Sequence, residues 1–339
     1  GAYGYADART PVFDALAQQG VLFRQTVAAN VFTGPSHASI LSGMLPVNHG
    51  VLVNKMLLPA AIPTLADILN DEGYVTGAFV SGYTTRERAC GLPSRFQVYD
   101  DDIRAFRWFP EAAKDIGVID LATRLYRIFG NYTGSFGQAY RMGEDTADVA
   151  VDWLEHNGGQ PFFVWAHFFD PHLPYRPPQA YRTGTDRGVS GKWYALAAKP
   201  RLELVNSKEK LAAMIDLYDA EVAYADAQLG RVVEAARAAA PDGNLLIVVT
   251  SDHGESMGEH GIYWARQLYD PTLLVPLVVV PPQTTELPST VINSQVRLID
   301  VAPTILDLLD VDAGTTFDGS SLLDLIATGG GDSTGPAFS

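Results

Sequence analysis

The chain has 339 residues, of which 47% are hydrophobic, 19% charged and 10% aromatic, and 24 Lys and Arg against 39 Asp and Glu give a net charge of −15. That composition supplies a full-sized core and excludes a wholly disordered or collagen-like chain. The acidic balance argues against a nucleic-acid binder and against an anionic-membrane binder, since both need a basic face.

The single cysteine, Cys90, excludes an intrachain disulfide framework. No apolar run reaches the length of about 18 residues that a membrane-spanning helix needs, and no signal peptide is visible. In chain order, Thr10 and Pro11 open a helix whose apolar stripe is Val12, Phe13, Leu16 and Ala17, ending at Gly20. A strand follows from Val21 to Val27, and Thr33 begins a short helix. A second helix-to-strand unit runs from Pro63 to Gly73 and into Val75 to Val80. A helix near Asp145 to His156 precedes the apolar strand Phe162 to His167, and residues 176 to 205 read as an insertion without periodicity. Ser207 to Ala240 is predicted helical, Asn244 to Thr250 and Leu274 to Val280 are predicted strands, and Asp300 caps a helix over Val301 to Leu309. Helices alternating with short apolar strands predict an α/β fold, an open and mostly parallel sheet covered on both faces. Ligands in such folds bind beyond the carboxyl ends of strands. No Gly-x-Gly-x-x-Gly or Walker loop follows a strand, so no dinucleotide or P-loop site is predicted.

Three groups of residues carry possible chemistry. Thr250-Ser251-Asp252-His253-Gly254-Glu255 follows a strand directly, and a carboxylate beside an imidazole there can bind a divalent ion. The structural alternative is an Asp N-cap with a surface His. Thr33 stands at a helix N-terminus, where backbone N–H groups and the helix dipole favour an anion. A hydroxyl there, next to a metal, can attack phosphorus or sulfur; the alternative is an ordinary cap before Pro35. His167-Phe168-Phe169-Asp170-Pro171-His172 ends the third group's strand, in a loop stiffened by prolines. Those histidines either form a polar site or bond only to backbone.

Taken together, Thr33-Gly34-Pro35-Ser36-His37, Leu41-Ser42-Gly43 and Pro46-Val47-Asn48-His49-Gly50 resemble the signature of the sulfatase family within the alkaline phosphatase superfamily. Asp170-Pro171-His172, Tyr218-Asp219 with Glu221, Ser251-Asp252-His253-Gly254-Glu255 and Gly258-Glu259-His260-Gly261 continue the likeness in family order, as does Asp300 with Pro303-Thr304. The resemblance implies an alkaline-phosphatase-like α/β/α sandwich over residues 1–326, with 327–339 either a Gly-rich tail or the start of a further C-terminal part. It implies a nucleophile at Thr33, which also ligates one divalent ion (Ca, Mn, Mg or Zn) together with Asp252 and His253. His172 matches a histidine that contacts the transferred group or protonates the leaving oxygen. His37 stands where the family has an Arg supporting the nucleophile. Asn54, Tyr83 and Arg266 are the implied substrate contacts, Arg266 in place of an expected Lys. Asp170, Glu255, His260 and His49 fit the motifs as supporting residues.

The departures point away from sulfate. Formylglycine requires Cys or Ser in a Cys/Ser-x-Pro-x-Arg context, and Thr33 with His37 meets neither condition. The resemblance therefore implies hydrolysis of a phosphoester or phosphonate ester through a covalent Thr33 intermediate. The alternatives are a sulfuric ester hydrolase working without formylglycine, a phospho-headgroup transferase, and a non-catalytic anion binder. A small anionic ester is the expected substrate, no oligomeric state is implied, and a periplasmic or membrane-associated setting is favoured. The family's first strand, ending in metal-binding Asp residues, is expected ahead of Gly1, and both ends read as cut.

Overall fold

A strand whose side chains are apolar on both faces needs cover on both, and the long apolar runs of this sequence obtain it from two layers of helices. The computed structural model describes residues 1–86, 90–103, 140–173, 175–183, 208–263, 265, 267–285, 287–331 and 335–337. Its strands are β1 (Val21–Val27), β2 (Val75–Val80), β3 (Val98–Asp100), β4 (Phe162–His167), β5 (Ile247–Thr250), β6 (Leu274–Val280) and β7 (Thr290–Arg297). The helices are α1 (Pro11–Gln19), α2 (Thr33–Ser42), α3 (Pro46–His49), α4 (Leu65–Asp71), α5 (Gly143–Asn157), α6 (Lys208–Ala239), α7 (Asp270–Leu273), α8 (Val301–Leu308) and α9 (Leu323–Thr328).

Successive residues of a strand point to opposite faces, and the packing follows that rule. In β1, Val21 and Phe23 join Leu65, Leu69, Ile305 and Ile326 of α4, α8 and α9, whereas Leu22 joins Leu16 of α1 and Val233 of α6. In β4, Phe162, Val164 and Ala166 meet Ala147, Ala150 and Leu154 of α5, while Phe163 and Trp165 pack on the opposite side against Phe96. Each fully buried Leu, Val or Phe of this kind contributes roughly 1.5–3 kcal/mol of transfer free energy. The result is the expected three-layer α/β arrangement.

The strands form two sheets, β5-β6-β1-β7 and β3-β2-β4. The second is wholly parallel, with Val75 opposite Phe162 through Val80 opposite His167. In the first, β6 runs antiparallel to both β5 and β1, and β7 is parallel to β1, so β5, β1 and β7 share one direction. Pairing of β1 with β6 is interrupted between Phe23 and Thr26. The Tyr3 hydroxyl enters that break, accepting from the Leu277 amide at 2.9 Å and donating to the Phe23 carbonyl at 2.8 Å.

Two local expectations are corrected. Asp300 does not cap α8 with its side chain; its carboxylate is held by Arg297 at 2.8 Å and by the Ser320 amide at 2.9 Å. The strand expected from Asn244 begins only at Ile247, where pairing with Val280 of β6 starts. Part of the insertion read at 176–205 lies outside the described residues. Among the described residues no helix is long and apolar enough to cross a membrane.

Between the two sheets, residues of β4 and of the segment through β5 line one cavity of about 1060 Å³. Helix residues from both outer layers, Leu154 and Val233 on one side and Leu65 and Ile305 on the other, close its faces. One end of this slot is polar, and that end is the candidate site.

Candidate functional site

The polar end gathers the segments that leave the carboxyl ends of β1, β4 and β5. Thr33 is the first residue of α2, with Phe32 rather than Thr33 in the N-cap position. One turn later, His37 lies on the same helix face, and its Nδ1 donates to the Thr33 carbonyl at 2.8 Å. Asp252 and His253 follow β5. The two segments are joined by the Ser36 hydroxyl, which donates to the Asp252 carbonyl at 2.5 Å.

Gly254 is required by close approach. A Cβ there would stand 2.1 Å from the Pro271 carbonyl oxygen, while the Gly254 amide donates to the Thr272 carbonyl at 2.9 Å. The turn is thereby pressed onto α7, and Asp252 and His253 face Thr33.

The electrostatics select protonation states. His253 Nδ1 lies 3.0 Å from the Gly254 carbonyl, so its proton is held there and the Nε2 lone pair faces inward. That nitrogen is 3.5 Å from Thr33 Oγ1 and 3.5 Å from Asp252 Oδ2. Burial alone would raise the Asp252 carboxyl, but the imidazoles of His253, His37 and His167 outweigh it and hold the group below the usual carboxylate range. Burial lowers the His37 imidazole despite its contact with Asp252 Oδ2 at 3.6 Å. It also lowers His172, whose Nδ1 donates to the Leu173 carbonyl at 2.7 Å. The site is therefore a buried carboxylate ringed by imidazoles, of which burial lowers His37 and His172.

A divalent ion fits this donor set. Ligands at right angles around a cation at 2.3–2.6 Å stand about 3.3–3.7 Å apart, and His253 Nε2 has that spacing from both the Thr33 hydroxyl and the Asp252 carboxylate. A hydroxyl, an anionic carboxylate and an inward-facing lone pair are all metal-binding forms. Among the described residues no group of three or more His, Cys, Asp and Glu is assembled around one point; Thr33, Asp252 and His253 could supply three ligands of a shell.

The other expected residues divide. His172 lines the cavity with Thr33, Asp252 and His253. Asn54 is brought to α2, but its Oδ1 accepts from the Gly34 amide at 2.7 Å, the position of a helix cap. Tyr83 lies in the short helical turn after β2 and is absent from the cavity wall, so it is not brought to the site. Arg266 lies outside the described residues. His49 is internal to the fold: Val51 donates to its Nδ1 at 3.1 Å and Ser39 lies 2.9 Å from its Nε2. Asp170 accepts from the Gly143 amide at 3.0 Å, anchoring the start of α5. Burial pushes Asp170 up to about 6 and Glu255 up to about 7. His167, grouped with His172 in the sequence as a possible polar site but given no separate role, lines the same cavity.

A family profile described as Sulfatase matches residues 1–311. The ulvan-active sulfatase of Formosa agariphila is 24% identical over 358 residues, covering 96% of this chain and 62% of its own length. The multifunctional alkaline phosphatase superfamily protein PehA of Trinickia caryophylli is 25% identical, covering 95% of this chain and 72% of its own. This chain thus spans less than two thirds of the first relative, 62% of its length. The solved phosphonate monoester hydrolase of Agrobacterium radiobacter superposes with a TM-score of 0.70 at 22% identity, covering 97% of this chain and 74% of its own.

Proposed function

This chain belongs to the sulfatase family, and from that premise we propose that it hydrolyses a phosphoester or phosphonate ester through nucleophilic Thr33. The observation that carries the reading is the approach of Thr33 Oγ1 to His253 Nε2 at 3.5 Å, beside the buried Asp252 carboxylate.

Thr33, Asp252 and His253 would hold a divalent ion, whose charge would lower the hydroxyl pKa and screen charge on the transferred group. An imidazole donor suits Zn better than Mg or Ca. The remaining ligands are assigned to an extended segment in the slot between β4 and β5. A parallel strand there would bring its carboxyl end to the same place as theirs, and apolar side chains on both its faces would meet the lining helices.

The Thr33 proton is released to water, and Oγ1 attacks phosphorus in line with the leaving oxygen. The new bond joins Oγ1 to phosphorus as the ester bond breaks. His172 holds its Nδ1 proton on the Leu173 carbonyl, which leaves Nε2 to work. An anionic ester nearby favours protonation of Nε2, and that proton passes to the leaving oxygen. Water then cleaves the phospho-Thr33 bond at phosphorus and restores the hydroxyl. A sulfated Thr33 would lack the aldehyde hydrate's route for expelling sulfate, which favours phosphorus.

Thr33→Ala should lower turnover of 4-nitrophenyl phosphate and phenylphosphonate esters by a factor on the order of 10⁴. Unchanged turnover on all of these would refute the nucleophile assignment. Faster turnover of 4-nitrophenyl sulfate than of the phosphate would transfer the reading to sulfate esters.

A further inference from the structure

His167 ends β4 with a firmly held backbone, its carbonyl accepting from the Ser81 amide at 3.1 Å and the Ser81 hydroxyl at 2.7 Å. Its ring meets His37 edge-on, with centroids 4.8 Å apart and planes at 83°. Gly82 makes room for it, since a Cβ at that position would come within 3.0 Å of His167 Cε1. The ring borders the cavity lined by Thr33, His172, Asp252 and His253. Its Nδ1, by contrast, is sealed from solvent and has no hydrogen-bond partner.

A neutral imidazole carries one N–H and one lone pair. Placed on Nδ1, the proton would be a buried donor without an acceptor, the rarest kind of buried polar group. Placed on Nε2, it leaves only an unused lone pair inside the protein. The second tautomer is favoured, and it turns a donor toward the cavity.

We infer that His167 is an anion-contacting residue of the site, its Nε2–H donating to an anionic oxygen held in the cavity beside His37. The inference rests on the ester-hydrolase reading given above. That oxygen belongs either to the transferred group or to a carboxylate completing the metal shell, and the two sources are separable.

Three variants test it in the native protein. In His167→Gln the amide nitrogen overlays Nε2, in His167→Asn it overlays Nδ1, and His167→Leu fills the space with no donor. Calorimetry gives the affinity for inorganic phosphate, and chelator competition gives the affinity for Mn²⁺. The Asn and Leu variants should lose 10- to 100-fold in one of these, about what a hydrogen bond to a charged group contributes, and the Gln variant should stay within about 3-fold of wild type. Loss of phosphate affinity alone identifies the transferred group as the source; loss of Mn²⁺ affinity identifies a carboxylate. A Gln variant as impaired as the Leu variant, or all three unchanged in both measurements, overturns the inference. Nitrogen-15 spectra of the wild-type imidazole provide a check that needs no variant, and a proton on Nδ1 would overturn it. Turnover retained in Thr33→Ala would remove the hydrolase reading while leaving the binding comparison valid.

Discussion

Ser36 Oγ donates to the Asp252 carbonyl across 2.5 Å, joining the helix that carries Thr33 to the turn that carries Asp252 and His253. Ser36 is fully buried. Its removal therefore leaves a buried carbonyl without this donor, at a cost of about 1–3 kcal/mol. Ser36→Ala should lower unfolding free energy by that amount and lower kcat more than KM, because Thr33 and Asp252 lose their mutual register. Denaturant unfolding and steady-state kinetics read the two effects, and a stability loss with unchanged kcat would separate folding from chemistry.

The imidazole donor at the site sets a metal preference. Zn accepts nitrogen readily, whereas Ca and Mg favour oxygen. His253→Gln offers an amide oxygen in place of Nε2 and should weaken Zn binding by a factor on the order of 10² while weakening Ca binding far less. Calorimetric titration with each ion checks the ratio. Equal losses for both ions would place His253 outside the shell.

Asp170 gives a pH dependence with a definite sign. Its carboxyl is raised from 3.8 to about 6, chiefly by burial. The protonated folded form is favoured, so this contribution to stability is fully present below pH 3.8 and is lost as pH rises through about 6. Asp170→Asn keeps an acceptor for the Gly143 amide and removes the titration. Its unfolding free energy should be flatter than that of wild type between pH 4 and 6. Parallel curves for the two proteins would contradict the assignment.

What was legible in the sequence followed from burial on two faces. Val75 to Val80, Phe162 to His167 and Leu274 to Val280 are mostly apolar runs, and each forms the strand expected of it, as does Val21 to Val27, whose apolar start Val21-Leu22-Phe23 precedes the polar Arg24, Gln25 and Thr26. The strand Thr290–Arg297 escaped notice because Asn293, Ser294 and Gln295 interrupt it; it pairs with β1 alone among the described strands. The reversed direction of β6 has no local signal at all, since apolar content carries no polarity. At the site, Thr33 and His253 are 220 positions apart, and only family order joined them before the Ser36 bond was seen. Asn54 was legible as a neighbour of Thr33 but not as the acceptor for the Gly34 amide, a role that depends on chain trajectory.

Gly254 offers the sharpest separation of backbone from side-chain effects. The three nearest atoms on its Cβ side are all main chain, led by the Pro271 carbonyl oxygen at 2.1 Å, and main chain cannot rotate aside as a side chain would. Gly254→Ala must therefore push the turn away from α7, breaking the amide bond to Thr272 and carrying Asp252 and His253 with it. Overpacking of this kind costs about 1–3 kcal/mol, so the variant should remain folded while its metal affinity falls at least about tenfold. Circular dichroism melts alongside Mn²⁺ titration would check both parts. Wild-type metal affinity in a folded Gly254→Ala variant would mean that Asp252 and His253 are positioned from the β5 side alone, independently of α7.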